Sequence, residues 1–425
     1  MHSSPPPISV LVSKVPNTKL TPRQILTLVL VVSGVIVLAL MAWYTTKRVP
    51  HHNWLFTGHY ACSFCDINSR IDDVHIVQRG GVLYSFYDHK QYFTYPTAAL
   101  FLFWPLSWVS HFWAITGWSF LTLLAYAGLI MLGWRQVRGS LTARAIGTSL
   151  WATAVATMIF PTMAICLSQG QTASILAVVV ALDYLALRNK FQGVLTGVAA
   201  AFKIYPIIFI GVWVFRRQWR QVITSLASGA VTTALAWIIW PHHSATFFLH
   251  RLTSGREISH FHTNIHWRSS SSSPYSFFYR PPFNGGSWES TLGLLACLAV
   301  AVFGVWLGVR LWNRGYHLTS FVVVLIGSTL SAPVVWDHYF AWVVLLPLVA
   351  YEVGWRRPAG LVTIWSIAML MVPWGLMRDE NFSYTGFTPT TICLFFVRNG
   401  LLFSSLALMV FAARLETKTE TKSIT

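Results

Sequence analysis

Apolar runs of bilayer-crossing length recur along this 425-residue chain, and that recurrence constrains its fold more than any motif does. A hydrocarbon core about 30 Å thick takes roughly 17 to 25 residues of helix. Runs of this order lie near residues 25–45, 112–133, 143–165, 172–187, 221–240, 290–312, 318–334, 338–354, 360–377 and 391–413. Inside lipid each backbone polar group must be satisfied by the chain itself, so such runs specify helices. Residues 97–109 are apolar and aromatic but short, which suits an interfacial or re-entrant segment. The expectation is one all-α, polytopic transmembrane domain over residues 1–425, with about 11 to 12 membrane segments. Composition agrees, since 55% hydrophobic and 10% charged residues exceed what a water-soluble core needs, and a soluble protein is excluded.

Thirty Lys and Arg oppose 13 Asp and Glu, a net charge of +17. In a membrane protein that excess marks cytoplasmic loops, and no nucleic-acid partner is expected. Segment 191–215 has Arg188 and Lys190 before it and Arg216, Arg217 and Arg220 after it. Both clusters belong on one side, which predicts a helical hairpin that breaks at Lys203-Ile-Tyr-Pro206, where proline removes a backbone donor. The tails 1–24 and 414–425 then lie in the cytoplasm, and two long loops, 46–111 and 241–289, lie outside. Run 25–45 is too long for a signal-peptide core and reads as a retained anchor. Cys62 and Cys65 form a lone C-x-x-C, which suits a disulfide or two thiols better than zinc. His242, His243, His260, His262 and His266 lack ligand spacing, so neither a metal nor another cofactor is expected.

Long loops in an otherwise tightly connected chain point to work at the outer surface. The first loop carries Asp66, Asp72, Asp73 and Asp88 and leads to Tyr92-Phe-Thr-Tyr-Pro96, which includes Tyr95. A carboxylate there is suited to take a proton from a sugar hydroxyl, or else merely to solvate the loop. Lys203 sits in an apolar segment, where an ammonium either faces a phosphate or snorkels to the interface, with Tyr205 and Pro206 beside it at the break. Gln169-Gly-Gln171 offers amides for sugar hydroxyls, with Gln171 at the outer end of a span. Pro333-Val-Val-Trp336-Asp-His338 crowds a ring, an acid and an imidazole where apolar residues would cost less, although His338 as a satisfied interfacial histidine fits equally. Arg251, Arg256, Arg268 and Arg280 in the second loop are candidates to contact an anionic lipid or phosphate.

Taken together these motifs resemble the polyprenol-phosphate-mannose-dependent α-mannosyltransferases of glycosyltransferase family 87, in the membrane-embedded GT-C superfamily. Asp73-Val-His-Ile-Val with Leu83-Tyr84 and Phe93-Thr-Tyr-Pro96 looks like that family's outer-loop block, as do Gly170-Gln171, Lys203-Ile-Tyr-Pro206 and Pro333 to His338. Departures are Thr97 for a second proline, Ala173 for Asn, Val335 for Ser, Tyr339 for a second His, and Ser271-Ser-Ser273 in place of an Asn-Gln-Ser element. The resemblance implies a GT-C-like fold and Asp73 as the catalytic base. It implies a substrate site of Asp72, Tyr95, Gln171, Lys203, Tyr205, Arg280, Trp336 and His338. It further implies a polyprenyl-phosphate-mannose donor, a glycolipid or cell-envelope glycan acceptor, inversion at the sugar, and a bacterial plasma-membrane enzyme working on the extracytoplasmic side. A polytopic transporter or lipid-linked sugar flippase is the rival, since it too uses broken helices and intramembrane charge.

Overall fold

The structure, a computed structural model, describes residues 21–48, 64–84, 93–187, 190–252, 271–278, 287–371 and 399–416. Arg188, Arg256, Arg268, Arg280, His260, His262, His266, Cys62 and Asp88 lie outside the described residues, as do most of both tails and parts of both long loops. Every regular element among the described residues is helical. In chain order these are α1 (Pro22–Arg48), α2 (Cys65–Gln78), α3 (His111–Arg138), α4 (Ala143–Ile159), α5 (Pro161–Gln169), α6 (Ala173–Ala181), α7 (Val194–Phe202) and α8 (Ile208–Phe215). They continue as α9 (Trp219–Ile239), α10 (Pro241–Ala245), α11 (Pro274–Phe277), α12 (Ser287–Asn313), α13 (His317–Leu330), α14 (Leu346–Val353), α15 (Pro358–Met371) and α16 (Gly400–Ala412). The apolar stretch between α2 and α3 forms short helical turns over Thr97–Trp108.

Among the described residues four helices, α1, α3, α9 and α12, are long and apolar enough to cross a bilayer. Their outward faces are apolar, as with Leu26 and Leu40 on α1 and Ile223 and Ile238 on α9, all exposed. Continuous apolar surface of this kind is what lipid contact requires. Run 143–165, which the sequence presents as one span, bends by 94° between α4 and α5. Pro161 opens α5 and cannot donate back to the preceding turn, so the ladder stops at Phe160.

Segment 191–215 leaves and returns. Gly193, before α7, lies against the start of α9: Ser225 Oγ donates to its carbonyl at 2.9 Å, and Gln221 Nε2 donates to Gln192 Oε1 at 3.3 Å. The chain has passed through α7, the break at Lys203 and α8 in between, so both ends of the segment sit together. The carbonyl of Tyr205 at the break accepts from a backbone N–H of its own turn and from Ser328 Oγ of α13 at 2.6 Å.

Two scarce acids hold helix starts. Asp183 is fully buried and accepts from the backbone N–H groups of Gly193 at 2.6 Å and Thr196 at 2.8 Å, so it caps α7, a structural role that needs no cation beside it. Glu352 of α14 accepts from the N–H groups of Leu318 and Thr319 and from the Thr319 hydroxyl, and caps α13 in the same way. Helices α12 and α13 cross closely, with Gly304 facing Gly327 so that an added Cβ would lie 3.0 Å from the opposing Cα. Small residues at such crossings let backbones approach, which is the main source of helix attraction in lipid.

Basic side chains gather at one end of the bundle. Arg138 lies over the Tyr351 ring, Arg216 over Trp312, Arg357 Nη1 donates to Tyr316 Oη, and Arg314 donates to the Leu415 carbonyl. The start of α3, at the other end, meets α2, where His111 Nδ1 lies 3.3 Å from Asn68 Oδ1. Helix α2 is thus at the end away from the arginine rim.

Candidate active site

Helix α2 is docked by its first turn. Phe64, in the left-handed region at φ 54°, donates its N–H to the Ser168 carbonyl at 2.7 Å, and its buried ring anchors the turn. Ile67 packs on Gly170, which takes φ +71° in the turn between α5 and α6, and Trp118 Nε1 donates to the Gly170 carbonyl at 2.9 Å. This docking puts the Asp66 carboxylate in reach of Gln171, whose Nε2 donates to Asp66 Oδ2. Both motifs singled out in the sequence, the outer-loop acids and the Gly-Gln turn, therefore meet, and they meet through Asp66.

Asp66, Arg70 and Asp73 are spaced i, i+4 and i+7, which places all three on one face of a 3.6-residue helix. Arg70 Nε lies 3.4 Å from Asp73 Oδ2, and both side chains are nearly buried. The Arg70 guanidinium also stands over the rings of Phe93 at 5.3 Å and Tyr95 at 5.7 Å. Asp73 is thus the carboxylate in contact with Arg70 about 10 Å along the helix from Asp66. Asp72, one residue earlier, is rotated by about 100° from Asp73 and is half-buried.

Lys203 emerges from the break between α7 and α8, with extended backbone at φ −152°. Its ammonium faces three tyrosine rings, those of Tyr339 at 4.1 Å, Tyr95 at 5.2 Å and Tyr205 at 5.8 Å. Ring faces attract a desolvated cation, by about 2 kcal/mol for a well-placed one. The carboxylate whose field acts on this ammonium is that of Asp66. Burial raises the Asp66 carboxyl above its ordinary 3.8, while Arg70 and Lys203 pull it back down. Tyr95 itself is tied to the α6 start, its hydroxyl lying 3.4 Å from Thr172 Oγ1. Thr97 stands where a second proline was expected, and its hydroxyl lies 3.1 Å from Tyr84 Oη, which also donates to the Tyr95 carbonyl at 2.9 Å. Arg251, at the end of the second loop's described part, donates to the Tyr84 carbonyl.

The turn after α13 completes the site. His338 is buried, stacks edge-on against Tyr339 at 4.7 Å, and belongs to a helical turn packed on α5. Trp336 is half-buried and its carbonyl accepts from the Tyr339 N–H at 2.9 Å. Ser271, Ser272 and Ser273 hold this turn: Val335 N–H donates to Ser271 Oγ at 2.9 Å, Ser272 N–H to the Val335 carbonyl at 2.7 Å, and Ser273 Oγ to the Pro333 carbonyl at 2.5 Å. Tyr95, Gln171, Lys203, Tyr205 and the His338 turn therefore converge as the sequence motifs suggested. Asp66, Arg70 and Tyr339 are the residues that sequence reasoning did not select. Arg280 lies outside the described residues.

A protein whose described residues are all-helical, with bilayer-length helices and with an acid, an amide and a tyrosine-caged ammonium gathered where helices break, has the architecture of a membrane enzyme. The family model for glycosyltransferase family 87 matches residues 93–336, and the chain belongs to that family. It is a glycosyltransferase. A polyprenol-phosphate-mannose-dependent alpha-(1-2)-phosphatidylinositol mannoside mannosyltransferase of Mycobacterium tuberculosis is 25% identical over 293 residues, 66% of this chain and 67% of the relative. A polyprenol-phosphate-mannose-dependent alpha-(1-2)-phosphatidylinositol pentamannoside mannosyltransferase of Mycobacterium tuberculosis is 23% identical over 76% of this chain and 75% of the relative. One of the same description from Mycolicibacterium smegmatis is 23% identical over 77% of this chain and 75% of the relative. No solved structure matches.

Proposed function

We propose that this glycosyltransferase moves mannose from polyprenyl-phosphate mannose to a glycolipid or cell-envelope glycan hydroxyl, with inversion, forming an α-mannosidic and by analogy α-1,2 bond. The names of its relatives support the donor and the sugar. The observation that carries the mechanism is the meeting of Asp66, Gln171 and Lys203 in one site.

Asp66, rather than Asp73, is the general base. As the acceptor oxygen bonds to the anomeric carbon, its proton passes to the Asp66 carboxylate, and the bond from that carbon to the phosphate oxygen breaks on the opposite face. The electron pair leaves on polyprenyl phosphate, whose charge Lys203 stabilises from within its tyrosine cage. Arg70 lies between Asp66 and Asp73 on α2, with Nε 3.4 Å from Asp73 Oδ2 and 3.3 Å from the Asp66 carbonyl to which it donates. A carboxylate with a raised pKa is a better proton acceptor once ionised, which suits Asp66 to the task.

The site opens on the extracytoplasmic side of a bacterial plasma membrane, with both termini in the cytoplasm. The arginine rim at the end of the bundle away from α2 supports this orientation. The decisive experiment pairs Asp66→Asn with Asp73→Asn in a transfer assay with labelled polyprenyl-phosphate mannose. Loss of the base costs about 10²- to 10⁴-fold in turnover. That loss is expected for Asp66→Asn with the protein folded, and near-normal turnover would remove Asp66 and return the role to Asp73. Lys203→Ala should weaken donor use, and an unchanged donor KM counts against phosphate binding there.

A further inference from the structure

An open cleft lies well away from Asp66. It offers about 450 Å³ between the C-terminal end of α2, the interfacial segment and the junction of α9 with α10, and its lining includes Gln78, Trp104, Trp240, His242 and His243. Asp66 and Gln78 are twelve residues apart on one helix, which places the cavity about 18 Å along α2 from the proposed base. Its chemistry differs from that of the transfer site: no Lys, Arg, Asp or Glu is among the described lining residues.

Two tryptophans form its wall. The rings of Trp104 and Trp240 lie 5.3 Å apart, inclined at 39°, and Phe101 backs Trp240 at 5.0 Å. Tryptophans at a membrane surface commonly form a lipid-facing belt. Trp108 and Trp113 suit that role, at 72% and 61% exposed, whereas Trp104 and Trp240 are half-buried over the cavity.

Polar groups supply the other wall. Gln78 Nε2 donates to Ser107 Oγ at 2.9 Å and its Oε1 lies 3.0 Å from His75 Nδ1, which leaves one amide hydrogen and one lone pair for another partner. His243 lines the same side, with Nδ1 buried and without a hydrogen-bond partner among the described residues. Burial and the adjacent His242 lower the His243 pKa from 6.5, so the imidazole is neutral at pH 7. Flat aromatic faces beside uncharged groups of mixed donor and acceptor character suit a neutral polyol ring, whereas a lipid phosphate would call for a cation.

We propose that this cavity is a sugar subsite, which holds a hexose of the acceptor glycan several rings from the hydroxyl that is mannosylated. The proposal rests on the reading of the protein as a mannosyltransferase and adds a place on this chain that recognises the acceptor glycan away from the transfer site. A ring on Trp104 and Trp240 fixes one end of the acceptor while its other end reaches Asp66.

The test compares two synthetic acceptors, octyl α-mannoside and an octyl mannotetraoside, with purified enzyme and labelled polyprenyl-phosphate mannose. Trp104→Ala should raise the KM of the tetraoside about tenfold, a loss of about 1.4 kcal/mol, with kcat and the monosaccharide KM unchanged. His243→Ala should show the same split, which guards against a Trp104 variant that folds poorly. Equal effects on both acceptors, or none on either, overturn the subsite. Equilibrium dialysis of the labelled tetraoside separates the two readings. Binding that Trp104→Ala abolishes, in a wild-type protein without transferase activity, would keep the subsite and reject the mannosyl-transfer reading. Binding unchanged in that variant, or competed by glycerophosphocholine and not by methyl α-mannoside, rejects the subsite whatever the turnover.

Discussion

Gly170→Ala is the substitution that most directly probes how Asp66 is placed. Gly170 has φ +71°, and a left-handed backbone costs an alanine about 1–2 kcal/mol relative to its usual conformation. A Cβ at this position would lie 2.4 Å from Cγ2 and 2.5 Å from Cβ of Ile67 on α2. Carbon atoms rest at about 3.5–4.0 Å, so α2 must retreat by about 1 Å, and overpacking of this kind costs about 1–3 kcal/mol. The two effects predict about 2–5 kcal/mol lost in thermal unfolding of the detergent-solubilised protein. Because the next residue to Ile67 is Asp66, the same 1 Å displacement should lower single-turnover transfer by about 10²-fold at saturating substrates. Ile67→Ala removes the Cγ2 contact but keeps the Cβ contact, and opens a cavity at about 2–5 kcal/mol on its own. In the double variant the new methyl partly fills that cavity and meets one close atom instead of two, while the Cβ contact and the backbone cost stay. The cycle should then show coupling of about 1–3 kcal/mol, with turnover partly restored relative to Gly170→Ala. Additivity within about 0.5 kcal/mol, or full turnover in Gly170→Ala, would refute the docking of α2 on this turn as the device that positions the base.

Three further outcomes follow from the same geometry. The acid limb of kcat/KM should have its midpoint above 3.8, because burial raises the Asp66 carboxyl and only its ionised form accepts the proton; a limb at or below 3.8 would exclude Asp66. The same shift has the opposite sign for stability: this group favours the folded state most fully below pH 3.8, and that contribution is lost as pH rises through the raised value. Asp183→Asn and Glu352→Gln should each lower stability by about 1–3 kcal/mol, measured by thermal unfolding, with the KM for donor and acceptor unchanged, since each acid serves backbone donors at a helix start. Ser328→Ala should destabilise by about 1 kcal/mol and raise the donor KM, by loosening the break that carries Lys203, and a change in melting temperature alone would limit Ser328 to packing.

The break at Lys203 to Pro206 was legible because proline and a charge within an apolar run leave few alternatives, and charge on both flanks predicted the return now seen between Gly193 and Gln221. The bend before Pro161 was not read, although the same rule applied: continuous hydrophobicity from 143 to 165 masked a proline that opens a new helix. Asp66, the base proposed above, was not selected from the sequence for a related reason. The doublet Asp72-Asp73 lies close to Leu83-Tyr84 and drew the motif assignment, whereas the helical period places Asp66 on the same face one step of seven earlier. Which of those two turns is docked on Gly170 depends on contacts about a hundred residues away, and no local pattern encodes that. Tyr339 was visible only as a departure from an expected histidine, yet its ring is the one nearest Lys203.

In a chain this poor in carboxylates, the partner of each acid separates structural from chemical roles. Asp183 and Glu352 have their oxygens taken by backbone N–H groups at helix starts, and those donors move only if the helix unwinds. Asp66 is held by a side-chain amide, and Gln171 can rotate its amide toward a sugar hydroxyl while the fold stays intact. A base must change its hydrogen-bond partner within each turnover, from a resting donor to the acceptor hydroxyl and back. A carboxylate whose partners are side chains can do so without a cost in secondary structure; on α2 both Asp66, with Gln171, and Asp73, with Arg70, meet that condition, and the field of Asp66 is the one that acts on Lys203.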